Sequence, residues 1–309
     1  MMSHTGRVIV ALLISISALQ CGEQRTPSSS PEIPKRIVST APNVTEILFV
    51  LGLGDRVVGV SEFCNYPEAA RSVAKIGGFS NPSVEAIVAL EPDLVVGSWG
   101  NPMEMVDHIR RLHIGWIGVK IQSVEEVFAA MEIIGERTGK SVQAKKLVAG
   151  YRSRIRKITE YTELLTPEQR PRIFWGGWHE PIYTAGPGSY INDLIEMGGG
   201  RNVAENASGP WPRYGMEAIV AADPEVFLCG HDPEGYATDA EALEALRARS
   251  GWRDITAVRT GRVHLMRSDA FLRPGPRLVD ALEQMVETIH PNLVKEEDGR
   301  IPHHPKEAP

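Results

Sequence analysis

Large aromatic side chains in glycine- and proline-rich segments are the residues best suited to act on another molecule. Segments of this composition lie at the surface, so an indole or phenol ring there needs a partner that covers it. Rings bind a ligand by dispersion and by burying apolar area, so the pattern favours binding over bond-breaking chemistry. Trp116 lies inside a predicted strand, and we expect it to fill the core. The aromatic residues in exposed segments are Tyr66, Phe79, Trp99, Trp175, Trp178, Trp211 and Phe271.

Charged residues in the same segments indicate what the ligand must offer. If the rings bury about 500 Å² at about 25 cal/mol per Å², the gain is about 12 kcal/mol, comparable with the roughly 4–15 kcal/mol that association costs. The free energy gained from apolar contact is therefore about equal to the cost of association, and polar groups must supply the remaining affinity and the specificity. Arg213, Asp269 and Arg273 are available for this purpose. The sequence thus predicts a large, flat-faced and partly polar ligand.

Motifs of the common enzyme classes do not occur in the sequence. There is no G-x-S-x-G elbow, no P-loop and no H-E-x-x-H zinc motif, so we predict that the protein is not an enzyme. A metal-dependent hydrolase is the alternative from another class, and it would need converging carboxylates and histidines. His179 follows a predicted strand end, where a neutral imidazole could bind a metal within the ligand; a plain loop histidine is the other interpretation.

Composition and the first residues indicate the compartment. The chain has 309 residues, 42% of them hydrophobic, and 33 Lys and Arg against 39 Asp and Glu, so it can bury a core and has no field that would attract nucleic acid. Arg7 precedes an uncharged run over 8–19, which is typical of an export signal. Cys21 lies where a bacterial lipoprotein is acylated, but Gln20 replaces the usual small residue, so lipid anchoring and plain export both stay open. We expect a periplasmic protein or one on the extracytoplasmic face of the membrane.

Short β-rich runs alternate with amphipathic helical runs from residue 36 onwards. Ile37–Ser39 is the first strand candidate, and helices are predicted to follow from Asn43 and from Ser123. Asn43 with Glu46, and Ser123 with Glu126, have the spacing of a helix capping box. Alternation of this kind predicts an α/β fold with largely parallel sheets.

A pattern that occurs twice indicates two similar lobes. Glu85-Ala-Ile-Val-Ala is repeated as Glu217-Ala-Ile-Val-Ala, and a proline and an apolar strand candidate follow each copy. Between the copies, residues 141–165 lack proline and carry apolar residues at helical spacing, which predicts one long connecting helix. We infer a ligand cleft between the lobes. The predicted segments are an export signal at 1–21, a linker at 22–35, an N-terminal lobe at 36–140, the connecting helix at 141–165, a C-terminal lobe at 166–292 and a loose tail at 293–309.

Several segments together resemble one family: the periplasmic substrate-binding proteins of ABC importers with a helical backbone between the lobes, and within it the cobalamin (vitamin B12) binders. The resemblance covers about 34–291. It is carried by Cys64-Asn-Tyr-Pro67, Gly77-Gly-Phe-Ser-Asn-Pro-Ser-Val-Glu-Ala-Ile87, Thr184-Ala-Gly-Pro-Gly188, Pro210-Trp-Pro-Arg213 and Leu272-Arg-Pro-Gly-Pro-Arg-Leu278.

The resemblance implies a corrinoid as the transported ligand and a pocket that holds it. Related ligands stay open: basic residues in the cleft would favour a ferric siderophore, whereas a His or Tyr ligand to iron, for which Tyr66 and His179 are available, would favour haem. The implied pocket residues are Tyr66, Phe79, Trp99, Trp211, Asp269 and Arg273, with Trp175 or Trp178 stacking nearby.

The resemblance also implies a docking partner, the permease dimer of an ABC transporter, which would be contacted through one acidic residue on each lobe. The matching positions are Glu85 and Glu217. Both open a predicted helix, where the helix dipole also favours a carboxylate, so helix capping alone is the other interpretation. Two like charges at related positions facing a two-fold partner favour docking. We expect the receptor itself to be a monomer.

Overall fold

Two four-stranded parallel sheets, one in each half of the chain, organise the residues that the computed structural model describes, 33–230 and 234–291. The predicted export signal with Cys21, most of the predicted linker and the predicted tail lie outside these residues. In both sheets the first strand of that half lies between the second and the third. The structure therefore confirms two similar α/β lobes with parallel sheets.

The N-terminal lobe contains the sheet of order β2-β1-β3-β4. Its strands are β1 (Ile37–Ser39), β2 (Val57–Val60), β3 (Leu94–Ser98) and β4 (Gly115–Val119). Its helices are α1 (Pro42–Val50), α2 (Val84–Ala89), α3 (Met103–Arg111) and α4 (Val124–Arg137).

The C-terminal lobe repeats this arrangement with the order β6-β5-β7-β8. The connecting helix α5 (Ser141–Thr162) precedes it. Its strands are β5 (Arg172–Gly176), β6 (Arg201–Asn202), β7 (Val226–Cys229) and β8 (Val263–Leu265). Its helices are α6 (Tyr190–Met197), α7 (Met216–Ala222), α8 (Asp239–Arg247), α9 (Thr256–Thr260), α10 (Asp269–Leu272) and α11 (Leu278–Ile289).

Of the two predicted capping boxes, one is present. Ser123 caps α4 and accepts a bond from the Glu126 backbone, while the Glu126 carboxylate accepts one from the Ser123 backbone. The box predicted at Asn43 is wrong, because Pro42 occupies the first turn of α1 and the cap is Ala41, which offers no side-chain acceptor. Proline suits this position since its missing N–H has no partner there in any case.

Helix α5 has 22 residues and is about 33 Å long at 1.5 Å per residue. It ends at Thr162 rather than at the predicted residue 165. The Thr162 hydroxyl donates to the Met197 carbonyl at 2.7 Å, which attaches the end of α5 to α6 in the C-terminal lobe.

One continuous apolar core extends through both lobes. It contains residues of α1 and α4 from the N-terminal lobe, of α5, and of α6 and α11 from the C-terminal lobe. Members such as Leu48, Phe128, Val148, Leu194 and Leu282 are at most 2% exposed. Because densely packed side chains resist displacement, this shared core restrains the lobes more than a single connecting helix could.

A buried ion pair also joins the lobes. Arg277 donates to the two carboxylate oxygens of Glu46 at 2.5 and 2.9 Å, and the Glu46 side chain is only 2% exposed. Nearby, the Asn43 amide donates to the Pro274 carbonyl at 3.1 Å. Burial raises the pKa of Glu46, while Arg277 acts to lower it. The pair therefore keeps a carboxylate charged in the contact between α1 and the segment that precedes α11.

Replacing Arg277 by alanine should lower the free energy of unfolding by about 3 kcal/mol, because a buried carboxylate loses its partner. The variant would raise the pKa of Glu46 further in the folded state, so the loss should grow as the pH rises from about 5 to about 8, where the folded form must carry the uncompensated charge. Urea denaturation at both pH values measures this.

The matched control is Arg247→Ala, since Arg247 pairs with Glu244 at 2.7 Å but both side chains are well exposed. That variant should change stability by less than about 0.5 kcal/mol. An Arg277→Ala loss that is equally small, or that is independent of pH, would contradict the interpretation.

Candidate functional site

A cavity of about 710 Å³ opens at the carboxyl edge of the C-terminal sheet. Trp175 and Gly176 end β5, Gly230 follows β7, and Phe271 and Leu272 lie in α10 after β8; all five line the cavity. Carboxyl edges of parallel strands are the usual place for ligands in α/β folds, and the volume lies within the range of small-molecule sites.

Two pairs of aromatic rings build the apolar wall. Trp175 packs on Phe271 with ring centroids 5.6 Å apart, and Trp211 meets Tyr190 edge-on at 5.6 Å. Gly230 allows the Trp175 indole to lie close to the backbone, since a Cβ at this position would come within 2.3 Å of the ring. Trp175, Tyr190 and Phe271 are at most 8% exposed, so they form the base of the wall, and Trp211 at 43% is the ring that a ligand could contact.

Backbone contacts between two loops position Trp211. The Thr184 N–H donates to the Pro212 carbonyl at 3.1 Å, and the Gly186 N–H donates to the Pro210 carbonyl at 2.9 Å. These bonds hold the backbone on both sides of Trp211, whose side chain is left 43% exposed. Exposure on a held loop leaves the indole accessible to a ligand in the cavity.

The polar side of the cavity is acidic. His179, Glu180 and Glu234 line it, and its described lining residues include no Lys or Arg. Glu234 Oε1 lies 3.1 Å from His179 Nε2 and 2.5 Å from Arg249 Nη2. A hydrogen bond from Tyr236, followed by the interaction with Arg249, lowers the pKa of Glu234. The carboxylate beside His179 is therefore held in its charged form.

The predicted polar residues Asp269 and Arg273 flank the lining residues Phe271 and Leu272 in the chain, but neither is in the described lining of the cavity. Arg273 Nη1 is 3.2 Å from Asp269 Oδ2. Both also contact Asn65 of the other lobe: its amide donates to Asp269 at 3.1 Å and its carbonyl oxygen accepts from Arg273. Their polar groups therefore join the lobes.

The N-terminal aromatic residues lie at the carboxyl edge of their own sheet. Tyr66 is 45% exposed, with the Arg277 guanidinium 4.2 Å from its ring centroid. Trp99 follows β3 and is 70% exposed, and Phe79 is half-buried in the loop after β2. Of the predicted binding residues, Trp175 and Trp211 are in the described lining of the cavity, whereas Tyr66, Phe79, Trp99, Trp178, Asp269 and Arg273 are not. The structure therefore brings two of the predicted residues together and leaves the N-terminal aromatic residues on a separate surface.

The two tryptophans at the end of β5 lie in different surroundings. Trp175 lines the cavity, whereas Trp178 is 3% exposed and packs against Phe227 and Tyr236 in the core of the C-terminal lobe. A stacking role for Trp178 stays a prediction, and its indole is not in the described lining of the cavity. Trp116 packs, partly buried, against the core of the N-terminal lobe, as predicted.

Glu85 and Glu217 occupy equivalent places in the two lobes. Each is the second residue of its helix, α2 or α7, and is exposed. These helices precede β3 and β7, which hold the same position in their sheets. A bond from the Glu85 backbone and one from the Ser83 hydroxyl lower the pKa of Glu85.

Several residues of the site were not predicted as such. Asn65 lies within the Cys64-Asn-Tyr-Pro67 segment that carries the resemblance, and Tyr190 directly follows the cap of α6. No sequence pattern identified Glu234 or Tyr183 as a candidate site residue. Across the described ranges 33–230 and 234–291, there is no group of three or more His, Cys, Asp or Glu that could hold a metal ion, and no helix is long and apolar enough to span a bilayer.

Comparisons with known proteins agree with this architecture. The model of the family described as "Periplasmic binding protein" matches residues 37–270. An uncharacterized ABC transporter substrate-binding lipoprotein of Bacillus subtilis, YvrC, is 34% identical over 268 residues, which are 85% of this chain and 82% of that protein. A cobalamin-binding protein of Halobacterium salinarum is 32% identical over 262 residues, covering 83% of this chain and 70% of that protein.

A solved structure shares the fold. The periplasmic haem-binding protein RhuT from Roseiflexus sp. RS-1, in its apo form, superposes with a TM-score of 0.72 at 26% identity and covers 83% of this chain and 98% of that one. The match spans both lobes. The chain therefore belongs to the periplasmic binding protein family, a family of solute-binding transport proteins.

Proposed function

We propose that the protein is the substrate-binding component of an ABC importer that captures cobalamin or a related corrinoid and delivers it to the permease. The observation that carries the proposal is the aromatic cavity without Lys or Arg among its described lining residues. A corrin ring offers a flat face to the accessible Trp211 indole, and its neutral amide side chains need hydrogen bonds rather than cations. The cobalamin-binding relative supports this ligand class.

Haem is the second candidate, and two observations favour it. His179 and Tyr183 in the cavity are residue types that can bind iron, and a haem-binding protein has a similar structure. Against haem stands the described lining of the cavity, which contains Glu180 and Glu234 but no Lys or Arg that could pair with the haem propionates. Arg213 and Arg249 already lie beside these two glutamates at 3.8 and 2.5 Å. The same lack of a cationic partner in the lining disfavours an anionic ferric siderophore.

The N-terminal aromatic residues would complete the site from the opposite lobe. Asn65 bonds to Asp269 and Arg273, so the loop that carries Tyr66 lies beside α10 at the cavity rim. A corrinoid that fills the cavity would extend beyond it, and Tyr66, Phe79 and Trp99 are the accessible rings on that side. The large exposure of Tyr66 and Trp99, beside the half-buried Phe79, fits a surface that a ligand covers.

Delivery would use Glu85 and Glu217. Both carboxylates are exposed, and their equivalent positions in the two lobes suit a permease that presents two similar basic sites. The charges would steer and orient the complex more than they would tighten it. The ligand site and the docking residues would thus act separately.

Trp211→Ala should weaken the binding of cyanocobalamin about tenfold or more, because an accessible indole is removed from the ligand surface. Trp116→Ala, the matched control, should instead lower the free energy of unfolding by about 2–4 kcal/mol and leave the affinity within about twofold. Isothermal titration calorimetry on both variants gives the affinities, and the wild type should bind at about micromolar or tighter.

The ligand class is tested by the same calorimetry with cyanocobalamin, ferric haem and a ferric siderophore. Binding of haem without binding of any corrinoid would refute the corrinoid assignment. An unchanged affinity in Trp211→Ala together with a loss in Trp116→Ala would refute the location of the site.

Charge reversal by Glu85→Lys with Glu217→Lys should leave corrinoid affinity unchanged and reduce uptake through the permease about tenfold or more, since repulsion replaces attraction at two points. Glu104→Lys is the matched control because Glu104 is also an exposed second residue of a helix, α3, and therefore has the same interaction with the helix dipole. Uptake into membrane vesicles containing the permease measures the effect. Equal uptake by all variants would leave only the capping role for these glutamates.

A further inference from the structure

His179 lies in the cavity wall with one ring nitrogen beside a held carboxylate. Its side chain is 41% exposed, and its Nε2 is 3.1 Å from Glu234 Oε1. Arg249 contacts the same carboxylate oxygen at 2.5 Å. Arg249, Glu234 and His179 thus form a chain of contacts, and the last two of them line the cavity.

A carboxylate beside one imidazole nitrogen determines what the other nitrogen can do. It favours the tautomer with its proton on Nε2, and the lone pair then lies on Nδ1. Within the described residues, this imidazole makes its polar contact to Glu234 through Nε2, which leaves Nδ1 available. Carboxylate–histidine pairs of this kind orient the ring and raise its basicity when the second nitrogen binds a metal.

The position in the cavity distinguishes His179 from a similar pair elsewhere in the lobe. His264 Nδ1 lies 3.1 Å from Asp239 Oδ2, so it has the same kind of partner. His264 is absent from the described lining of the cavity. A carboxylate partner alone therefore does not indicate a metal-binding role for a histidine. His179 has both a carboxylate partner and a position in the wall of the cavity.

We propose that His179 is an axial ligand to the metal of the bound macrocycle, oriented by Glu234 and Arg249. The proposal rests on the proposed function, and it adds that the preferred cargo is a cobalt(III) corrinoid with an exchangeable axial water. The cobalt–oxygen bond breaks, water leaves, and the Nδ1 lone pair forms a cobalt–nitrogen bond; no electron is transferred, and the proton stays on Nε2. The corrin supplies the equatorial donors, so one protein ligand is sufficient.

Absorption spectroscopy of the full chain with aquocobalamin and with cyanocobalamin tests the proposal. Replacement of axial water by an imidazole nitrogen should shift the aquocobalamin bands to longer wavelength on binding, whereas bound cyanide should prevent the shift with cyanocobalamin. In His179→Ala the shift should disappear, and the affinity for aquocobalamin relative to that for cyanocobalamin should fall about tenfold or more. His264→Ala, the matched control, should keep both the shift and the ratio.

The outcomes separate this inference from the proposed function. If the wild type binds both corrinoids without a shift, or if the shift survives in His179→Ala, axial coordination is refuted while corrinoid binding stands. If neither corrinoid binds, the proposed function fails and the cobalt assignment fails with it. Circular dichroism of His179→Ala verifies that the variant is folded. Glu234→Gln should lower the ratio of aquocobalamin affinity to cyanocobalamin affinity less than His179→Ala does, because it leaves the imidazole in place.

Discussion

The apolar core that continues from α1 and α4 through α5 into α6 and α11 is the constraint on which the rest of the structure depends. A hinge between lobes needs an interface that can separate, and a continuous core would expose apolar area if the lobes parted. The Glu46–Arg277 pair adds a polar contact between the lobes that is costly to break. The two carboxyl edges are therefore held in a fixed relation to each other, which is what the proposed two-lobe site requires.

The lobes repeat one topology but do not contribute equally to the site. In the N-terminal lobe, Trp116 from the edge strand β4 packs close to Gly97 at the end of β3, and its indole belongs to the core. In the C-terminal lobe, the indole that lies close to Gly230, the residue after β7, comes from the inner strand β5 and lines the cavity. A glycine near the end of the third strand thus accommodates an indole in each lobe, but only the C-terminal indole is part of the cavity wall. This difference leaves exposed rings on one side and an enclosed cavity on the other.

Local patterns predicted most of the fold because they depend on nearest neighbours. The β1 strand begins and ends at the predicted residues, and Ser123 caps α4. The predicted start of α1 was wrong because two local features suggested different starts. Asn43 has the spacing of a capping residue, but the helix begins one residue earlier, at Pro42. The helix α5 ends before residue 165 because the chain must turn into the C-terminal lobe.

The site was predictable in part. Asp269 and Arg273 are four residues apart, and the structure brings them together as an ion pair, but their common partner Asn65 is about two hundred residues away and no local pattern connects them. Trp175 and Trp178 were predicted to have the same stacking role. Side chains alternate between the two faces of a strand, so Trp175 lies on the cavity side of β5 while its neighbour Phe174 enters the core of the C-terminal lobe. Trp178 returns to that core beyond the strand. Glu46 and Arg277 pair across 231 positions, which only the folded chain reveals.

A crystal structure of the protein saturated with cyanocobalamin tests the central claim most directly. A preformed site predicts that the corrin face lies against the Trp211 and Phe271 side of the cavity, that Tyr66 or Trp99 covers the opposite part of the ligand, and that the two lobes superpose on those of the free protein as one body. A macrocycle bound away from this cavity, or lobes rotated relative to each other with the Glu46–Arg277 contact broken, would contradict the account.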